Sequence, residues 1–336
     1  MSETAIPAAR THPLNVIFAG VPDLAVPALR ALADSQHDVA LVVTQPDRPA
    51  GRGRKLKAPP VKSFAESRGI PVIQPESINR PDAVEAVRVV RPDTIVSFAY
   101  GRRFARRVLR LPRLGCFNIH ASLLPRYRGA APIQHAILNG DAETGVTVQR
   151  MAEEIDTGPV LALESLRIGP DETAGELAER IGELAACIIV PTLDGIERGE
   201  IEGSPQDESL ACDAPALRKK DGLVPWHRDA DRVRDFVRAM TPWPGAYTFH
   251  CGADGRCRVR LTLLSVRIVA EPGPVVARTF GSAAPPGTVI SAQDRLLVAA
   301  GDRFVEVCRV KPAGGKAMDA ASFLRGHDIR AGDRFQ

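Results

Sequence analysis

Short apolar runs alternate with segments of helical spacing from Leu14 to about Gly199. The runs typical of buried strands are Asn15–Ala19, Val39–Thr44 and Asp93–Phe98. Between them, Val26–Ala33 has helical character, and Pro81–Val90 opens with Pro-Asp, a typical helix start, and carries a stripe of valines. Short strands that alternate with helices predict an α/β fold with a Rossmann-like, mostly parallel, doubly wound sheet.

The pattern changes after a polar segment that contains Gly203, Pro205 and Pro215. Asp229–Met240 places Val233, Phe236, Val237 and Met240 on one side of a helix. Short alternating runs with glycine-rich turns follow, which predicts a small β barrel or sandwich. The runs are Arg258–Val269, Gly287–Ile290 and Arg295–Ala299. We therefore predict a tail over 1–13, a first domain over 14–202, a linker over 203–219 and a smaller β domain over 220–336.

Composition narrows the class of protein. The chain has 336 residues, enough for two domains, and a net charge of +4, which by itself does not indicate nucleic acid. No apolar run approaches the roughly 20 residues that span a bilayer, and the first thirteen residues lack the apolar core of a secretion signal. Six cysteines without a CxxC pair predict reduced thiols in a cytosolic protein. No GxGxxG follows the first strand, so a dinucleotide site is unsupported.

The first candidate catalytic residues are Asn118 and His120. Two residues apart on a strand, they point to the same face. An amide and a protonated imidazole can both donate to an oxygen that becomes negative during acyl transfer. Ser122-Leu-Leu-Pro125 then turns the chain sharply. From spacing alone, Asn-x-His is more often a polar strand end than a catalytic pair.

Asp156 stands in Glu154-Ile-Asp-Thr-Gly158, ahead of an apolar run. One interpretation is a turn in which Asp156 accepts from nearby backbone N–H groups. The other is a carboxylate that keeps His120 protonated. Nothing in the local sequence shows that the two side chains meet.

A longer string carries a resemblance. Asn118-Ile-His120-Ala-Ser-Leu-Leu-Pro125-Arg-Tyr-Arg-Gly129, with Ala-Ala-Pro-Ile-Gln134 and later Asp156-Thr-Gly158, closely resembles the folate-dependent formyltransferases. The resemblance implies that Asn118, His120 and Asp156 are catalytic. It also implies that 10-formyltetrahydrofolate is the co-substrate and that no metal takes part. The residues it places on the folate are Ser122, Leu123, Leu124, Pro125, Tyr100 and Gly101.

One segment departs from that family. After Gly101, where the family has an apolar stretch, this chain has Arg102-Arg-Phe-Ala-Arg-Arg107. The arginines could engage the glutamate tail of the folate or tRNA phosphates. They could equally form a solvated helix face with Phe104 and Val108 turned inward, which is the interpretation we favour.

A basic loop indicates which molecule accepts the formyl group. The segment from Gln45 to Lys62 has six basic residues against one acidic residue, and its two glycines predict a mobile backbone. Such a loop is suited to a phosphate backbone, and the alternative is a solvated surface loop. It resembles the tRNA-binding insertion of methionyl-tRNA formyltransferases, one branch of that family. The residues to which the resemblance assigns tRNA binding are Arg48, Arg52, Arg54, Lys55 and Lys57.

Two further segments resemble the second domain of that branch. Trp243, between Pro242 and Pro244, is expected in the core at a structural corner. Lys311-Pro-Ala-Gly-Gly-Lys316 is a basic turn. A small barrel with a positive surface would resemble an OB-fold, which commonly binds nucleic acid.

These expectations converge on a cytoplasmic, monomeric enzyme that formylates methionine on initiator methionyl-tRNA for translation initiation. Two alternatives remain open. An N-formyltransferase for an amino sugar or other small amine would keep the catalytic residues, and its activity should survive deletion of everything after Ser204. A catalytically idle RNA-binding protein would keep the fold and bind no folate.

Overall fold

The computed structural model describes residues 12–50, 55–252, 255–269 and 284–336. The chain forms two compact units. The first comprises Met1–Pro132, Glu143–Arg167 and Ala178–Pro215, and the second Ile133–Ala142, Ile168–Leu177 and Ala216–Gln336. Within the described ranges, no helix has the length and apolar character needed to cross a bilayer.

The elements up to residue 214 alternate strands with helices. In chain order they are β1 (Asn15–Gly20), α1 (Val26–Ala33), β2 (Asp38–Val43), β3 (Arg48–Ala50), β4 (Lys55–Lys57), α2 (Pro60–Ser67), β5 (Val72–Ile73), α3 (Pro81–Val90), β6 (Thr94–Phe98), α4 (Arg106–Leu109), β7 (Cys116–His120), β8 (Arg128–Gly129), α5 (Pro132–Leu138), β9 (Glu143–Arg150), β10 (Val160–Arg167), α6 (Ala174–Glu197) and β11 (Asp213–Ala214). The predicted helices Val26–Ala33 and Pro81–Val90 are confirmed as α1 and α3.

The first unit is built on a seven-stranded sheet in the order β10-β9-β7-β6-β1-β2-β5. The five strands from β5 to β7 pair in parallel, whereas β9 and β10 are antiparallel. Its apolar strands are buried, as expected for a sheet covered on both faces. The Rossmann-like prediction is confirmed. Strand β7 lies between β6 and β9, with Asn118 opposite Ser97 on one side and Gln149 on the other.

The second unit contains an antiparallel sheet that nearly closes into a barrel, as predicted. Its elements are α7 (Ala230–Ala239), β12 (Ala246–Cys251), β13 (Cys257–Val269), β14 (Val289–Ala292), β15 (Leu296–Ala299), β16 (Phe304–Pro312), β17 (Met318–Asp319), α8 (Ala320–Arg325) and β18 (Arg334–Phe335). The strand order is β14-β15-β16-β13-β12-β18. The residue just before β18 lies beside β14, at the other end of the strand order: the Val289 N–H donates to the carbonyl of Asp333 at 2.8 Å. The apolar side of α7 is buried, with Val233 and Val237 in the core of this unit.

Two expectations for the second unit are wrong. Trp243 is 51% exposed, so it is not part of the core. Cys251 and Cys257 form a disulfide, whereas the other four cysteines are free. The two cysteines are paired neighbours on β12 and β13, so the hairpin itself brings their sulfurs together. Pairing across a hairpin depends on register, which cysteine spacing alone does not reveal.

Candidate active site

Strand β7 carries the two predicted donors to the edge of the sheet. His120 is its last residue and is buried, and Asn118 is partly buried two residues earlier. Parallel sheets bind ligands beyond the carboxyl ends of their strands. The position of both side chains is therefore the one that this fold uses for chemistry.

Asp156 joins these two residues although it lies far from them in sequence. Its Oδ1 accepts from Asn118 Nδ2 at 3.4 Å and from Gln149 Nε2 at 2.8 Å. Its Oδ2 accepts from the Gly129 N–H at 2.9 Å and lies 3.5 Å from His120 Nδ1. The carboxylate is 10% exposed, so solvent screens these contacts only weakly. The structure thus brings together the three residues that the sequence nominated.

The two ring nitrogens of His120 have different partners. Nε2 lies 2.8 Å from the carbonyl oxygen of Tyr127, which can only accept, so Nε2 carries a hydrogen. Nδ1 faces the Asp156 carboxylate. Nδ1 is therefore the ring nitrogen that is not engaged by the backbone.

The turn after β7 is held by its own hydrogen bonds. Ser122 Oγ donates to the carbonyl of Arg126 at 2.6 Å. Thr147 Oγ1 donates to the Ser122 carbonyl at 2.7 Å and accepts from the Leu124 N–H at 3.0 Å. Ser122 and Leu124 are buried, whereas Leu123 and Pro125 are partly exposed. The sharp turn predicted at 122–125 is confirmed, and it can present Leu123 and Pro125 to a ligand.

Strained backbone is concentrated around this site. Ala99, Tyr127 and Asp156 have φ values of 49°, 63° and 56°, in the left-handed region that residues other than glycine rarely adopt. Ala99 directly follows β6. Tyr127 supplies the carbonyl that accepts a hydrogen bond from His120 Nε2, and Asp156 carries the carboxylate between Asn118 and His120. Such strain costs of order 1–3 kcal/mol per residue and is typical of functional sites.

Tyr100 and Gly101, predicted to contact folate, differ in accessibility. The Tyr100 ring is 1% exposed and packs edge-on against Phe104. Burial raises the pKa of its hydroxyl above the usual range. Its carbonyl accepts from Gln45 Nε2 at 2.8 Å, and Gly101 is exposed. Any contact of this segment with a ligand therefore involves backbone, not the Tyr100 ring.

The arginine-rich segment after Gly101 is solvated, as favoured above, but only its second part, from Arg106 in α4, is helical. Phe104 and Val108 are buried, whereas the arginines point outward. Arg103 donates to the Glu153 carbonyl at 2.8 Å, and Arg106 lies 3.1 Å from the Glu153 carboxylate. These arginines hold the start of the loop that leads to Asp156.

The predicted tRNA-binding residues lie on a small hairpin. Arg48 on β3 is the register partner of Lys57 on β4, and both are exposed. Asp47, next to the hairpin, is bound by Lys62 at 3.0 Å and by Gln74 at 2.6 Å, and these hydrogen bonds lower the pKa of its carboxyl. Arg52 and Arg54 lie outside the described residues, as does the side chain of Lys55.

Sequence reasoning missed three residues that support the site. Gln149 contacts Asp156 from β9, opposite Asn118. Gln206 and Arg128 are bonded to each other, and Gln206 also reaches the backbone at Asp156. Gln149 could have been found from alternation on its strand, since it shares the face of Thr147. Gln206 had no signal, because it lies in a polar segment predicted to be a linker.

Comparisons with known proteins identify the family. Residues 14–193 match the profile of the formyl transferase family, and residues 216–328 match that of the formyl transferase C-terminal domain. The chain belongs to the formyl transferase family. It is thus a one-carbon group transferase with the two domains characteristic of that family.

Among curated relatives, the methionyl-tRNA formyltransferase of Geobacter metallireducens is 42% identical over 322 residues, covering 96% of this chain and 98% of the relative. That of Sorangium cellulosum is 43% identical over 320 residues, covering 95% and 98%.

Solved structures share the fold at low identity. HypX from Aquifex aeolicus in complex with tetrahydrofolic acid has a TM-score of 0.61 and 19% identity over 93% of this chain, which spans about half of HypX (47%). An N-formyltransferase from Helicobacter canadensis, in complex with folinic acid and dTDP-3-aminofucose, has a TM-score of 0.60 and 16% identity, covering 88% of this chain and 98% of the other.

Proposed function

We propose that this family member transfers the formyl group of 10-formyltetrahydrofolate to the α-amino group of methionine on initiator methionyl-tRNA. The observation that carries the chemistry is the Asp156 carboxylate, which lies within 3.5 Å of both Asn118 and His120. The choice of acceptor is supported by the full-length similarity to methionyl-tRNA formyltransferases. The proposal places the reaction in the cytosol, with the chain acting as a monomer.

In the proposed mechanism, the neutral amine attacks the formyl carbon and the formyl oxygen becomes an oxyanion. Asn118 has two amide hydrogens, of which one is directed to Asp156, so the other can donate to this oxygen. The Nε2–H of His120 is held by Tyr127, which leaves the Nδ1–H as its second donor to the oxyanion. Losing one such donor costs about 10²–10³ in rate.

Asp156 has two roles in this scheme. Its Oδ2 lies 3.5 Å from His120 Nδ1, so the carboxylate orients the ring whose Nδ1–H donates to the oxyanion. The attacking nitrogen also loses a proton as the C–N bond forms. Asp156 and His120 are the ionisable groups placed to relay that proton to the departing folate nitrogen, directly or through water.

Residues around the site are chemically suited to a folate. The turn at 122–125 offers the partly exposed Leu123 and Pro125 as apolar surface. Backbone groups near Gly101 supply polar contacts of the kind that orient a ring system in an apolar pocket. We assign these two segments to the folate.

We assign the tRNA to the β3–β4 hairpin and to the barrel-like second unit. Arg48 and Lys57 are exposed, as phosphate contacts require. On the barrel sheet, Arg260 stacks over the Tyr247 ring at 4.0 Å, a combination of charge and aromatic surface common in nucleic-acid binding.

The deciding experiment mixes purified protein with 10-formyltetrahydrofolate and charged initiator methionyl-tRNA and follows formyl-methionine formation. Charged elongator methionyl-tRNA and an amino-sugar nucleotide are run as alternative acceptors. We expect product with initiator tRNA. Transfer to the amino sugar alone would show that the acceptor is a small amine. Absence of both formyl transfer and folate binding would contradict the enzyme assignment.

A further inference from the structure

Gln206 reaches the backbone of the turn that carries Asp156. Its Nε2 donates to the carbonyl of Asp156 at 2.8 Å and to that of Gly158 at 2.7 Å. The two hydrogens of one amide thus hold two carbonyls of the same turn. They bind the backbone at Asp156 and Gly158, whereas Asn118, Gln149 and the Gly129 N–H bind the Asp156 carboxylate.

Arg128 orients the amide of Gln206. Its Nε and Nη2 donate to Gln206 Oε1 at 3.1 and 2.7 Å. The same guanidinium donates to both carboxylate oxygens of Glu208, at 2.8 and 2.7 Å. Because a guanidinium only donates, it selects the oxygen end of the amide and directs the NH₂ end to the Asp156 turn.

The turn is also confined from strand β9. The Arg150 N–H donates to the Pro159 carbonyl at 2.9 Å. A Cβ added to Gly158 would lie 1.7 Å from the Arg150 carbonyl oxygen, so only glycine permits this close approach. The turn that carries the left-handed Asp156 is therefore held both by β9, at Gly158 and Pro159, and by Gln206.

We propose that Gln206 is a positioning residue for formyl transfer, which holds Asp156 in its strained conformation and so sets its distance to His120. Gln206 acts through Asp156 and need not touch a reacting atom. The inference rests on the proposed role of Asp156. It also gives the predicted linker a function, since residues 206–208 become part of the support of the active site.

The first test is independent of turnover. Amide hydrogen exchange in the segment 151–160 is measured for the wild type, for Gln206→Ala and for Asp207→Asn. Asp207 is a neighbour in the same segment and bonds Ser209, so it controls for general loosening. With two hydrogen bonds lost, exchange in Gln206→Ala should accelerate about tenfold or more, with no change in Asp207→Asn. Unchanged exchange in Gln206→Ala would overturn the inference.

The second test is a double-mutant cycle in single-turnover formyl transfer. Gln206→Ala should lower kcat about 100-fold with KM for folate and tRNA unchanged, because a small misplacement of a reacting group costs this much. Gln206→Glu keeps the acceptor for Arg128 but loses both donors, and should fall equally. In an Asp156→Asn background, Gln206→Ala should lower kcat no further.

Independent, multiplicative losses in the cycle, or wild-type kcat in Gln206→Glu, would overturn the positioning role. A wild type that transfers no formyl group would instead overturn the proposed function. The exchange measurement would then still decide whether Gln206 holds the Asp156 turn.

Discussion

The 2.8 Å hydrogen bond from His120 Nε2 to the Tyr127 carbonyl determines which nitrogen of the ring takes part in chemistry. Tyr127 is in the left-handed region at φ 63°, so the carbonyl is presented by a strained residue. With Nε2 bonded to this carbonyl, Nδ1 is the ring nitrogen left to face Asp156 and a reacting group.

We expect His120→Ala to lower kcat by about 10²–10³ because an oxyanion donor is lost. The Kd for tRNA should not change, since His120 is buried and no tRNA contact is assigned to it. Single-turnover kinetics and a filter-binding measurement test this. The matched control is His227→Ala at an exposed position. Parallel loss of tRNA binding would indicate a structural role.

Asp156→Asn and Asp156→Ala should separate charge from backbone conformation. Both lose the carboxylate and should lose most turnover. Asn tolerates positive φ, whereas Ala does not. At φ 56°, the free energy of unfolding of Asp156→Ala should therefore be about 1–2 kcal/mol lower than that of Asp156→Asn. Urea unfolding of the two variants measures the difference. Equal stabilities would show that the turn relaxes without cost.

Arg48→Ala and Lys57→Ala should each raise the KM for tRNA while leaving the KM for folate unchanged. Each loss of a phosphate contact should also reduce the slope of log K against log salt by about one. Arg88→Ala, an exposed arginine paired with Glu85 on α3, is the control. Wild-type tRNA kinetics at moderate salt in both hairpin variants would refute the assignment.

The unfolding free energy should fall as the pH drops below about 6.5, in part because of His37. Burial lowers the pKa of His37 from 6.5, although Asp194 and Glu197 oppose the shift. The unfolded chain then binds a proton that the folded state resists, so stability is present above pH 6.5 and is lost as the pH falls through the lower folded pKa. His37→Asn should show a weaker decrease between pH 7.5 and 5.5, whatever its absolute stability. His227→Asn should keep the wild-type slope, and an unchanged slope in His37→Asn would refute this origin.

The two tryptophans should differ sharply in their contribution to stability. Trp226 is 4% exposed and donates from Nε1 to Thr248 Oγ1 at 3.1 Å, so Trp226→Ala should cost about 3–5 kcal/mol. Trp243 is 51% exposed, so Trp243→Ala should cost less than about 0.5 kcal/mol. Thermal or urea unfolding compares them. A large loss of unfolding free energy in Trp243→Ala would show that the Trp243 ring is part of the core.

Local patterns predicted most of the framework. The periods of α1, α3 and α7 are visible in sequence because each helix buries one stripe of apolar residues. The Asn118-x-His120 pair was placed on one face because strand geometry has a fixed period of two. The contact between this pair and Asp156 could be predicted only from the family resemblance, since no short-range rule joins residues 38 apart in sequence.

The remaining features depend on tertiary partners. Proline and glycine around 203–215 predict a linker whether the segment is loose or held by side-chain hydrogen bonds. Here the side chains of Gln206 and Cys212 bond other parts of the first unit, to which the segment itself belongs. The exposure of Trp243 likewise depends on the final packing around it. Long-range contacts of this kind leave no periodic trace in the sequence.

The short pairing of β8 with β11 has a practical consequence for dissecting the chain. Arg128 and Gly129 pair in parallel with Asp213 and Ala214, and the Ala131 N–H also donates to the Ala214 carbonyl. A fragment that stops at Ser204 would lack these partners. We expect it to transfer no formyl group even if the acceptor is a small amine. Deletion at that point therefore cannot discriminate between acceptors, and an excised catalytic fragment should extend through Pro215.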